Sequence, residues 1–226
     1  MQRYNMFHQV HKGLRAMLYE TALCLQHTEF DDAVQARESL AQLQEVIYLF
    51  NKHAHSEDTY VFPAVEKFEP SVADAFEQEH VKDHELGELL DQAIAACEAA
   101  TGVAARLEAG RHVQEAFIAF MLFNLEHMAK EESVINPILH RYYQDHELHA
   151  ITQQIVSAIV PEDMARFSRW MIRGLHNAEI SQWLKEAELH APEPAFQQLF
   201  QSVEKELSAV RFRQVLEKMT DGAMMA

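Results

Sequence analysis

Two stretches of this chain carry the same frame of potential metal ligands. HAHSEDTYVFP holds His53, Glu57 and Pro63, and HMAKEESVINP holds His127, Glu131 and Pro137. In each, the glutamate follows the histidine by four residues and the proline by ten, and a second acid (Asp58, Glu132) follows the glutamate. The frames are 74 residues apart, while His11 with His84 and Cys24 with Cys97 recur at an offset of 73. Imidazole and carboxylate together suit Fe, Zn, Cu or Mn, and the absence of thiolate from the set disfavours a structural zinc site. A duplicated helical hairpin would present one histidine on its first helix and a His–Glu pair on its second. Such a unit can surround two metal ions.

The elements that position these residues must be helices. Residues four apart on a helix share a face, with Cβ atoms about 6 Å apart. His53 with Glu57, His80 with His84, and His127 with Glu131 can therefore each point one way. The His80/His84 pair means little alone, since fourteen histidines make such a spacing expected by chance. The ensemble carries the signal: pairs on three helices, a lone histidine on the first, and a repeated frame. Apolar stripes also lead into the ligand positions. Leu14, Leu18 and Leu25 follow His11; Leu43, Val46, Leu49 and Phe50 precede His53; Phe117, Phe120 and Phe123 precede His127. These intervals fit helices packed on a shared core. His8 is the alternative to His11, which is favoured because it aligns with His84. Phe7 stands where the second half has His80. Glu77 could orient an imidazole from outside the ligand set, and His55 points off the ligand face. Pro63 and Pro137 either bend their helices past the site, each releasing a carbonyl, or end them.

The pattern predicts an all-α protein with four long helices over residues 2–27, 33–68, 72–100 and 104 or 111 to 143. Asp31 or Asp32 would cap the second, and Ser71 with Asp74 resembles a capping box for the third. Short connections favour an up-down four-helix bundle over 1–143. Residues 144–226 read as a separate C-terminal helical segment. In it, Pro161 opens a helix, Asn177 caps another, and a last pair follows Pro192 and Pro194. Trp170, Met171, Trp183, Phe196 and Phe200 would form core or a homodimer interface. Residues 223–226 would fray.

Composition agrees. Hydrophobic residues make up 48% of 226, enough for a packed core, and six glycines with six prolines favour helix over a turn-rich sheet. A formal charge of −16 repels nucleic acid and anionic membranes, so neither is an expected partner. The two cysteines read as small core residues rather than a disulfide framework. The N-terminus lacks the apolar stretch of a signal peptide, and the apolar run 116–123 is too short to span a bilayer. The expectation is a soluble, cytoplasmic protein.

The ligand count suits two irons. Five imidazoles, two bridging glutamates and one bridging oxide or hydroxide would fill two six-coordinate ions save for one open position. That arrangement is what reversible O2 binding needs. The sequence resembles the hemerythrin family, in its bacterial hemerythrin-like (HHE) branch. The likeness covers about residues 1–143. It rests on His11 in VHKGLR, His53-x-x-x-Glu57 followed by VFP, His80-x-x-x-His84, and His127-x-x-x-Glu131.

The resemblance implies one iron held by His80, His84 and His127. A second, with the open position, would be held by His11 and His53, and Glu57 and Glu131 would bridge. Zinc can substitute during expression. Invertebrate hemerythrins commonly place the second carboxylate five residues after the histidine, which keeps Glu132 as the alternative to Glu131. The implied function is binding or sensing O2 or a related small oxidant. A di-iron enzyme or iron donor acting in peroxide or nitric oxide stress and iron-centre repair is the second reading. The chain lacks the cysteine-rich N-terminal segment of the repair proteins. A helical interaction module with a structural metal is the third. A ferritin-like oxidase needs two Glu-x-x-His motifs, and only Glu77 to His80 fits; no His-Glu-x-x-His protease motif occurs.

Overall fold

The computed structural model describes residues 3–220, and every regular element among them is helical. Helix α1 (His8–His27) begins later than the apolar pattern suggests, because residues 3–7 are not helical. Residue 2, the expected start, and 223–226, expected to fray, lie outside the described residues. The second rod joins α2 (Ala33–Ser56), a π-helical turn (Glu57–Val61) and α3 (Phe62–Glu66). The third is α4 (Pro70–Ala99). The fourth joins α5 (Val103–Lys130), a second π turn (Glu131–Ile135) and α6 (Asn136–Tyr142).

Local chemistry explains the boundaries. Asp32 caps α2, its Oδ1 accepting from the amides of Val34 at 2.8 Å and Gln35 at 3.2 Å. Helix α4 starts one residue earlier than expected, at Pro70, with no side-chain cap from Glu69. Proline at the first helical position has its φ preset and sacrifices no hydrogen bond, so the Ser71/Asp74 capping box is not needed.

Pro63 and Pro137 do not end their helices. A proline cannot donate to the carbonyl four residues back, and its ring crowds that carbonyl. Each rod widens by one residue just before its proline. The Phe62 amide donates to the Glu57 carbonyl, and the Asn136 amide to the Glu131 carbonyl. Such π turns frequently mark functional positions. Beyond them, Phe62, Val65, Ile135, Ile138 and Leu139 join Phe7, Phe76 and Leu148 in a buried apolar cluster.

The chain divides into two compact units, one comprising Met1–His8 with Met17–Ile159, the other Gln9–Ala16 with Val160–Ala226. The first unit is larger than residues 1–143. It takes in α7 (Asp145–Ala158), whose Leu148 is fully buried with Ile151 and Ile155 packed beside it. The break at 143–144 is only a helix cap, Gln144 with Glu147, and not a linker.

The second unit contains α8 (Pro161–Gly174), α9 (Asn177–His190), α10 (Glu193–Glu206) and α11 (Ala209–Thr220) around Ile172, Leu175, Ile180, Leu184, Val203 and Val215. Met171, Trp183, Phe196 and Phe200 pack against that core, and Trp170 is buried. His176 caps α9 where Asn177 was expected. Its Nδ1 accepts from the Glu179 amide at 3.3 Å, and Glu179 accepts from the His176 amide at 2.8 Å. Both cysteine thiols are free, with Cys97 buried and Cys24 half-buried. No described helix is long and apolar enough to cross a membrane.

Two buried glycines of the first unit test this packing with opposite signs. A Cβ on Gly110 would stand 2.2 Å from the Phe30 ring, whereas one on Gly87 would sit 3.7 Å from Ile47. Gly110→Ala should lower the denaturation midpoint, with a cost of about 1–3 kcal/mol from overpacking. Gly87→Ala should raise it, since helical alanine is favoured over glycine by about 1 kcal/mol. Chemical denaturation of the two variants checks both signs.

Candidate metal centre

The two π turns deliver their first residues, Glu57 and Glu131, to a common interior. Glu57 is 3% exposed and Glu131 0%. A carboxylate that deep must be protonated, hydrogen-bonded or bound to a cation. All four oxygens of this pair are buried. What they face is imidazole. Glu57 divides its oxygens between two histidines, Oε1 lying 3.2 Å from His53 Nε2 and Oε2 lying 3.5 Å from His80 Nε2. Glu131 Oε1 lies 3.3 Å from His127 Nε2.

Potential ligand atoms form two groups, each within 4.8 Å: His11, His53, Glu57 and Glu131, and then Glu57, His80, His127 and Glu131. The two glutamates belong to both. Each group thus has two imidazoles of its own and shares both carboxylates.

The outward ring edges explain how His80 and His127 are held. Asp58 Oδ1 lies 2.7 Å from His80 Nδ1, and Glu79 Oε2 lies 2.9 Å from His127 Nδ1. Lys130 anchors Glu79 from its other oxygen at 3.0 Å. A carboxylate can only accept, so both Nδ1 atoms carry hydrogen. In the neutral rings both Nε2 atoms then present lone pairs, and these face each other at 3.0 Å. Two lone pairs that close need a cation between them. The spacing is that of two nitrogens about 2.1 Å from one ion at a roughly right angle. The donor set and the buried carboxylates therefore fit metal ions.

In the metal-free protein a proton serves instead. Burial opposes charge on His80, but the hydrogen bonds it donates to the Asp58 and Glu57 carboxylates, and their negative charge, overrule it, and its pKa is pushed up to about 10. For His127 burial likewise opposes, and Glu131 and Glu79 win, so its pKa is also raised. One turn away, burial pushes the Asp83 carboxyl up, while Asn124 donates to it at 2.6 Å.

The sequence-level expectations meet this geometry unevenly. His11, fully buried, and His53, Glu57, His80, His127 and Glu131 come together. His84 does not. Its side chain is 65% exposed and stands 3.4 Å from Glu88. The α4 face that turns inward at His80 continues through Asp83 and Gly87, leaving His84 outside. His8, the alternative to His11, and His55 are both exposed. Glu132, the alternative to Glu131, is half-buried and outside both groups. The outer partner of an imidazole on α4 is Glu79, not Glu77, which is exposed. Asp58, Glu79 and Asp83 were not read as site residues. Only Asp58 left a trace, as the acid repeated after each glutamate.

The pKa of His80 fixes a pH dependence. A histidine raised from 6.5 to about 10 by folding stabilises fully below pH 6.5, and the contribution is lost as pH climbs through about 10. The denaturation midpoint of chelator-treated protein should fall across that interval. A midpoint that holds constant or rises there would contradict the assignment.

No curated protein and no solved structure matches this sequence. The hemerythrin HHE cation-binding domain does, over residues 2–139. That span contains both π turns and every residue of the two ligand groups. The chain therefore belongs to the hemerythrin HHE cation-binding family.

Proposed function

We propose that the centre holds two iron ions and serves to bind or sense O2 or a related small oxidant. The observation that carries this reading is the pair of groups sharing Glu57 and Glu131. In this reading His80 and His127 hold one ion, His11 and His53 the other, and the two carboxylates bridge. Two redox-active ions held by these residues would supply the electrons that reversible binding of a small oxidant requires. Zinc fits the same donors and could replace iron during expression.

The chain's own residues set the conditions. Phe62 and Phe76 flank the imidazoles of His80 and His127, with ring centroids 5.0 and 5.8 Å away. They and the cluster around them exclude water. Exclusion of water strengthens the hold of the carboxylates on cations. It also protects a reduced centre from side reactions. Asp58 and Glu79 keep the Nδ1 protons in place, so that both Nε2 lone pairs stay aimed inward.

A di-iron enzyme or iron donor acting on peroxide or nitric oxide is the second reading. The exposure of His84 favours it. Without a fifth imidazole, more than a single coordination position is left to exogenous ligands.

Anaerobic loading with Fe(II), metal quantification and a visible spectrum before and after air test the proposal. Two ions per chain and an absorption that disappears when O2 is removed are expected. Irreversible bleaching with peroxide or nitric oxide turnover would support the second reading, and no bound metal would refute both. Glu131→Ala should reduce the content to one ion or fewer per chain, because it takes a bridge from both.

A further inference from the structure

The two ligand groups differ in what stands one helical turn from their histidines. Leu14 follows His11 by three residues, Phe50 precedes His53 by three, and both are buried. The matching places beside His80 and His127 hold Asp83 and Asn124, which are 4% and 2% exposed. We propose that Asp83, held by Asn124, hydrogen-bonds a small anionic ligand beside His80 and His127, which makes theirs the half of the centre that takes exogenous ligands. The inference deepens the reading of the centre as a metal pair and rests on it.

An aspartate and an asparagine are costly in a helical core. The leucine and phenylalanine at the matching places show that the fold accommodates apolar residues there. The pair is nevertheless held in one arrangement. Asn124 Nδ2 donates to Asp83 Oδ1 at 2.6 Å and to the Phe120 carbonyl at 3.1 Å. Both amide hydrogens are thus spent on acceptors, and a reversed amide would set its oxygen against that carbonyl. Asp83 Oδ1 therefore only accepts. A proton on this carboxyl lies on Oδ2, and burial favours keeping it there. Asn124 engages only Oδ1, which leaves Oδ2 as a donor for a second partner.

That partner lies toward the centre. Asp83 shares the buried face of α4 with His80, and Asn124 shares that of α5 with His127. The Asp83 carboxyl also feels the charge of both imidazoles. The family resemblance would fill a position on this side with His84, but that ring is exposed. The half that lacks a third histidine is thus the half with a buried hydrogen-bond donor. A donor beside bound cations suits a small anion, such as azide or the reduced form of a small oxidant. Leu14 and Phe50 offer such a ligand no hydrogen bond.

The test titrates iron-loaded, air-oxidised full-length protein with azide, following the visible spectrum and measuring metal content alongside. Asp83→Asn keeps an acceptor for Asn124 and a donor for the ligand, so it should bind azide about as tightly as the unsubstituted protein. The double variant Asp83→Leu, Asn124→Leu removes both polar groups together and leaves neither unpaired. Its metal content should be unchanged. Its azide affinity should fall by about ten- to a hundredfold, the worth of a hydrogen bond to a charged group. Phe50→Leu, at the matching place of the other half, should bind azide normally. Unchanged azide affinity in the double variant would overturn the proposal. Equal weakening in Asp83→Asn or in Phe50→Leu would do so too, as would loss of metal from the double variant, which would make Asp83 a ligand of the ion. Iron-loaded protein that takes up no azide would refute this proposal alone. Failure of the unsubstituted protein to load iron would instead strike the metal reading itself.

Discussion

Two carboxylates buried among imidazoles are the constraint on which the rest depends. Burying one ionised carboxylate costs several kcal/mol unless a counter-charge is supplied. Glu57 and Glu131 are both placed where water cannot reach. The helices surround them with imidazole rather than with lysine or arginine. Imidazole can yield its position to a metal by losing a proton, whereas a lysine or arginine would occupy it permanently. The protonated histidines of the metal-free state are thus substitutes, and the site is built for a stronger cation.

The remaining architecture follows from holding those two glutamates in place. Each sits at the first residue of a π turn whose far side ends in a proline two residues on. The extra residue in the turn lets the rod continue past the site with its apolar side chains still facing inward. Phe62 and Ile135 then lie in the same cluster as Phe76. The proline that cannot complete an α-helical bond makes the wider turn the natural solution. A motif legible as three residue types at fixed spacing thereby becomes a backbone geometry.

How much of this could be read from the sequence depended on what repeats. The 74-residue frame located His53, Glu57, His127 and Glu131, because ligand and core positions on the same rod are locked together by helical periodicity. The 73-residue offset pairs His11 with His84. In the structure it is His80 that completes the second group as His11 completes the first. His80 and His84 lie one turn apart, so periodicity cannot choose between them. The choice is made by the contact between α4 and α5, where Asp83 meets Asn124 and Gly87 lies nearest Ile47 and Phe120. Glu79 was illegible for a similar reason: its partner, His127, lies 48 residues away. A helix cap stands at 143–144, where the composition resembles a linker, and Leu148 of α7 is buried in the cluster that holds Phe62 and Ile135.

The most direct measurement is anomalous diffraction from crystals of the iron-loaded protein. The account requires two peaks per chain, one beside His80 and His127 and the other beside His11 and His53, with Glu57 and Glu131 contacting both. A single peak, or one coordinated by His84 in place of a shared glutamate, would contradict it.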